Sequence, residues 1–137
     1  MSDSDSLAEL CCDLVETCDG NAIAEIEPEH LLMLGVDEGT LLLDVREAHE
    51  RVESGYIPGD THIPLDDVEK HAEMTLFGHL PTQQDLAMPV ICYCRSGRRS
   101  ITAATTLRNL GFANPLSLAG GIIRFASMGG PIEKPEG

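Results

Sequence analysis

The chain has 137 residues, 42% of them apolar, which is enough for one compact domain with a real core and too few for two ordinary ones. Nine Lys and Arg stand against 23 Asp and Glu, giving a formal charge of −14 that argues against a general nucleic-acid or anionic-membrane surface. The opening MSDSDSLAEL is acidic, without a basic region ahead of an apolar run, and no stretch reaches the roughly 18 apolar residues of a membrane span, so a soluble, cytoplasmic protein is expected.

The first element is marked by a capping-box pattern at Ser6-x-x-Glu9. Leu7, Leu10, Cys11, Leu14, Val15 and Cys18 then follow at helical spacing up to Gly20, which predicts an amphipathic helix over residues 6–19. Cys11 and Cys18 lie on its apolar stripe as small buried hydrophobes, whereas Cys12 falls off the stripe. That stripe must cover either the domain's own sheet or a second subunit, and the sequence leaves both open. Residues 1–20 are therefore taken as an amino-terminal helical extension and 21–137 as the domain proper.

Next, NAIAEIEPEHLLML reads as a short strand and then a helix begun at Pro28 and stopped at Gly35. TLLLDV and PVICYC are unbroken apolar runs, the signature of strands buried on both faces. Between them the pattern predicts a helix near 47–53, the turn GYIPGD, an extended THIPL and a helix near 66–76. A helix near 99–110, a strand near 114–118 and a last helix after Gly120-Gly121 complete the order. Alternating strands and helices of this kind imply a three-layer α/β domain with a mostly parallel central sheet flanked by helices. The segment 73–88 is longer than a minimal connection and is a candidate access or partner surface.

The chemistry concentrates in CYCRSGRRS, residues 92–100. Ligands in open parallel sheets bind beyond the carboxyl ends of the strands, and Cys94 closes the apolar run just before a Gly/Arg/Ser loop. That loop runs into ITAATTLRNL, whose apolar face at Ile101, Ala104, Leu107 and Leu110 continues as a helix to Gly111. A strand-to-helix turn of this type aims successive backbone N–H groups at one point, and Gly97 opens conformations closed to other residues. The expected product is an anion cradle whose first member is a cysteine of depressed pKa. Arg95, Arg98 and Arg99 are three of the nine basic residues and reverse the local field. Cys92, two residues back along the strand, is expected to be a buried structural thiol.

Several segments agree in order with one known family. LLLDVRE at 41–47, GYIPGDTHIP at 55–64, CRSGRRS at 94–100 and LSLAGGI at 116–122 resemble the signatures of a rhodanese domain, the sulfurtransferase module, over a span from about Ile26 to Pro131. The resemblance implies that Cys94 takes up a sulfane sulfur as a persulfide. The amides from Arg95 through Ser96, Gly97, Arg98 and Arg99 would then stabilise the anion, and no metal or organic cofactor would be required. Arg95 and Arg98 would orient an oxyanionic donor such as thiosulfate, with cyanide, a thiol or a protein as sulfur acceptor. Arg99 fills the arginine of the family's C-x-x-G-x-R pattern and is expected to be braced by Asp44. Arg46 is counted as structural support, or as one half of a surface pair with Glu50. The chain departs from the family at Tyr56-Ile57-Pro58-Gly59-Asp60, where His-Ile-Pro-Gly-Ala is common, and at Phe125, where the family carries Trp.

Two rival classes share parts of this pattern. A cysteine-dependent phosphatase or arsenate reductase uses the same thiolate logic, but the phosphatase loop it would resemble has five residues between Cys and Arg, and here there are four. A sulfur carrier that passes its persulfide to a dedicated partner protein would keep the cysteine, as this chain does. Metal binding is not expected. His30, His49, His62, His71 and His79 show no paired short spacing, and Cys92-x-Cys94 lacks a second pair.

Overall fold

The computed structural model describes residues 23–34 and 39–135. The helix expected over 6–19 lies outside the described residues. Five strands form one sheet: β1 (Ala24–Ile26), β2 (Leu41–Asp44), β3 (Thr61–His62), β4 (Pro89–Tyr93) and β5 (Asn114–Leu118), in the order β1-β5-β4-β2-β3 with every neighbour parallel. Among the described residues six α-helices connect or follow them: α1 (Pro28–Leu34), α2 (Ala48–Ser54), α3 (Val68–Phe77), α4 (Gln83–Leu86), α5 (Arg99–Asn109) and α6 (Gly121–Ser127).

The two unbroken apolar runs become β2 and β4, neighbours in register from Leu41 opposite Val90 to Asp44 opposite Tyr93. Alternate residues of these strands feed opposite cores. Leu42, Ile91 and Tyr93 pack with Leu31 of α1 and Ile122 and Phe125 of α6, while Leu43, Val90 and Cys92 pack with Val68 and Ala72 of α3 and Ala103, Ala104 and Leu107 of α5. A parallel sheet needs cover on both faces because its crossover helices lie there. Each fully buried Leu, Ile or Val contributes about 1.5–3 kcal/mol. The three-layer α/β architecture read from the sequence is the one observed.

Two local features depart from that reading. The stretch after THIPL opens with a 3₁₀ turn at Leu65–Asp67 before α3 begins. Within the long 73–88 connection, α4 was not anticipated. Thr82 caps it, its hydroxyl accepting from the Asp85 N–H while the Asp85 carboxylate accepts from the Thr82 N–H. No helix among the described residues is long and apolar enough to cross a membrane.

Candidate active site

Asp44 ends β2 and Cys94 follows β4, so both lie at the carboxyl edge of the sheet's centre. Residues 94–98 turn directly into α5, whose first residue is Arg99. The Cys94 Sγ accepts a hydrogen bond from the Gly97 N–H at 3.1 Å and lies 3.6 Å from the Ser100 hydroxyl. Burial by itself would raise the pKa of this thiol. The Ser100 hydroxyl, together with the N–H groups of Ser100, Gly97 and Ser96, outweighs it, and the pKa falls below the ordinary thiol value. Cys94 is only 1% exposed, yet its sulfur is surrounded by donors rather than sealed in hydrocarbon. Any reactant must therefore enter the mouth of the loop to reach it. Arg95, Ser96 and Arg98 stand exposed around that mouth. The side chains of Arg95 and Arg98 have no ion-pair partner among the described residues.

The loop is held from behind. The Ile122 N–H donates to the Cys94 carbonyl at 2.9 Å and the Ile123 N–H to the Arg95 carbonyl at 3.3 Å, so the start of α6 grips the loop's first two residues. This grip needs Gly121, which sits at φ +64°, where a Cβ would lie 2.6 Å from the Cys94 oxygen. Gly97 sits at φ +104°, and a Cβ there would crowd the Gly120 nitrogen at 3.2 Å. The glycine pair and the loop glycine thus meet backbone to backbone.

Asp44 does not brace Arg99. The Arg99 guanidinium makes a two-pronged pair with Glu50 of α2 at 2.7 and 2.8 Å, which raises its pKa and lowers that of Glu50 to about 2. Asp44 is instead the centre of a buried network. Its carboxylate accepts the Arg46 backbone N–H at 2.9 Å and both Nε and Nη2 of Arg46 at 3.0 Å, and it takes Arg51 Nη1 at 2.8 Å. Arg46 also gives Nη2 to the Gly55 carbonyl at 2.6 Å. At 0% exposure Arg46 forms no surface pair with Glu50, because the closer Asp44 carboxylate takes its guanidinium and Arg99 takes the Glu50 carboxylate.

The same network absorbs two of the chain's departures from the family pattern. Arg51 stacks over the Tyr56 ring at 4.2 Å and pairs with Asp60 at 2.8 Å. Asp60 in turn accepts the Tyr93 hydroxyl at 2.5 Å, and that hydroxyl accepts the Ile57 N–H at 3.1 Å. Cys92 is fully buried, and burial pushes its pKa up, well away from the reactive range. Glu50, Arg51, Asp60, Ser100 and Ser117 are site residues that the sequence reading did not assign. For Ser117 the signal available was a hydroxyl inside the apolar run PLSL.

A three-layer α/β domain with a low-pKa cysteine in an amide-lined loop at the sheet's carboxyl edge defines a narrow class, and the comparisons name it. A family model of the rhodanese-like domain matches residues 28–128. A sulfurtransferase from Allochromatium vinosum is 36% identical over 116 residues, covering 84% of this chain and 99% of that one. A Bacillus subtilis protein whose proposed role is sulfur carrier is 38% identical over 86 residues, 63% of this chain but 41% of that longer one. The human single-domain sulfurtransferase superposes with a TM-score of 0.58 at 26% identity, covering 75% of this chain and 95% of that one. The chain belongs to the rhodanese-like family.

Proposed function

We propose that the protein is a sulfurtransferase that carries sulfane sulfur as a persulfide on Cys94, moving it from an anionic donor such as thiosulfate to a thiol or cyanide. The observation that carries this reading is the placement of the Gly97 N–H at 3.1 Å and the Ser100 hydroxyl at 3.6 Å from the Cys94 sulfur, at the mouth of a loop rimmed by Arg95 and Arg98. A pocket of donors that lowers a thiol's pKa despite its burial is built for a sulfur anion, and a persulfide is one.

The steps balance without an external oxidant. The Cys94 thiolate attacks the outer sulfur of thiosulfate, a sulfur–sulfur bond forms, and the bond to the sulfonate sulfur breaks with its electron pair leaving as sulfite. An acceptor then attacks the outer sulfur, takes it, and returns the Cys94 thiolate. Arg95 and Arg98 at the mouth, without an ion-pair partner among the described residues, suit an oxyanionic donor. Phosphatase chemistry fits less well, because the Arg99 guanidinium that would hold phosphate is occupied on both prongs by Glu50.

A relay to a protein acceptor is a second reading, favoured by the likeness to the Bacillus subtilis sulfur carrier. One measurement tests the proposal. After exposure to thiosulfate, intact mass with the thiols mapped should show a gain of about 32 daltons, one sulfur atom, on Cys94 and none in Cys94→Ser. A gain at another cysteine, or none with any donor, would overturn it. Loading without turnover to cyanide selects the relay.

A further inference from the structure

Behind the nucleophile lies a second polar contact that the loop motif does not include. The Ser100 hydroxyl, 3.6 Å from the Cys94 sulfur, is 2.7 Å from the Ser117 hydroxyl. Both serines are 0% exposed. Ser100 belongs to the first turn of α5 and Ser117 to β5, so the pair ties the helix that carries the loop to the strand beside β4. A polar side chain buried in a strand costs stability unless it is bonded, and among the described residues the side-chain partner of Ser117 is this one hydroxyl.

We propose that Ser117 is a positioning residue for Cys94, acting through Ser100: it holds the Ser100 hydroxyl as a donor aimed at the nucleophile's sulfur. Ser100 has one proton to give. When Cys94 is a thiol, its S–H can donate to the Ser100 oxygen and the Ser100 O–H to Ser117. When Cys94 is a thiolate, the chain runs the other way, Ser117 donating to Ser100 and Ser100 to the sulfur. Ser117 thus gives Ser100 an acceptor in one state and a donor in the other, and a hydroxyl that is itself accepting a hydrogen bond donates more strongly. The inference rests on the assignment of Cys94 as the sulfur-carrying nucleophile and adds a residue from outside its loop.

The other groups that set this thiol's ionisation are separate from the pair. Arg99 interacts with the sulfur through charge, Glu50 acts through Arg99, Cys92 is a buried thiol kept neutral by its burial, and Arg95 and Arg98 lie on the rim. β5 brings no charged residue. A shift produced at Ser117 therefore has one route to the sulfur.

The experiment is the pH dependence of Cys94 alkylation by iodoacetamide, followed by mass spectrometry of the Cys94 peptide in the folded full-length chain. Ser100→Ala is expected to raise the midpoint by about one pH unit and Ser117→Ala by about half a unit, from the strength of a hydrogen bond to a charged group. Ser117→Thr, which restores a hydroxyl on a residue suited to strands, returns the midpoint to the parent value. The double variant Ser100→Ala/Ser117→Ala matches Ser100→Ala alone, since Ser117 has no other path. An unchanged midpoint in Ser117→Ala, or a shift that adds to that of Ser100→Ala, overturns the inference. Alkylation does not require sulfur transfer, so variants that show these shifts while the wild-type chain never loads sulfur support the positioning role and overturn the sulfurtransferase reading.

Discussion

Replacing Gly121 by Ala probes how far the cradle depends on the glycine pair. The added methyl would sit 2.6 Å from the Cys94 oxygen, and real Cβ contacts essentially never fall below 3.0 Å, so the loop carbonyls must retreat. Those carbonyls are bonded to the Ile122 and Ile123 N–H groups, and one of the residues that must shift with them is Cys94 itself. Gly78 supplies the control, since at φ +74° it shares the backbone requirement but has nothing within 4 Å of its Cβ position. Both variants bear the roughly 1–2 kcal/mol cost of a side chain in the left-handed region. Gly121→Ala adds an overpacking cost of about 1–3 kcal/mol. At about 3–4 °C per kcal/mol for a domain of this size, it should unfold roughly 3–12 °C below Gly78→Ala. Misplacing one N–H donor typically costs on the order of 10²-fold or more in rate, so sulfur loading from thiosulfate should fall by at least about 10²-fold in Gly121→Ala and hardly change in Gly78→Ala. Thermal unfolding followed by fluorescence of an external dye, with loading followed by mass, measures both. Equal Tm values and equal loading in the two variants would refute the claim that the glycine pair fixes the loop.

Other outcomes follow from the same contacts. Glu50 has a folded-state pKa lowered to about 2 by Arg99, so this pair's stabilisation is complete above the ordinary carboxylate pKa and is lost as pH falls from about 4.5 toward 2. In Tm-versus-pH curves Glu50→Gln should lie below the wild type at neutral pH and converge with it on the acid side, whereas a constant gap would contradict the pairing. Asp44→Asn leaves Arg46 at 0% exposure without its charged partner and should cost about 3–5 kcal/mol in urea unfolding. By contrast Arg124→Ala, which breaks the half-exposed pair with Glu27, should cost at most about 1 kcal/mol. Cys92, its thiol pushed up by burial, should resist iodoacetamide at pH 8 in the folded chain and react once urea is added, and modification in the native state would contradict its burial.

The sequence is most legible where one residue pattern has one physical solution. LLLD and PVICY are short unbroken apolar runs of the kind that suits strands covered on both faces, and the Gly/Arg/Ser loop after Cys94 runs into a stretch with helical apolar spacing. The four-residue α4 is too short to show a period, although Thr82-x-x-Asp85 is a capping box in plain view. Long-range partners are another matter. Asp44 and Glu50 are both acidic, both lie near the carboxyl edge of the sheet, and both are far from Arg99 in sequence. Spacing cannot say which carboxylate meets it, and the choice is made by α2, which carries Glu50 to the loop while Arg46 and Arg51 claim Asp44. Ser117 was hidden for the opposite reason, because a small residue in an apolar strand reads as packing until a second buried hydroxyl is found 2.7 Å away.

The sheet ends in a three-residue strand on one side and a two-residue strand on the other. Among the described residues, neither rim offers a ladder of free backbone groups long enough for another molecule to zip onto. The protein should therefore withstand high concentration without strand-on-strand polymerisation, even though its centre is built from the kind of β-rich apolar segment that forms fibrils when left uncovered.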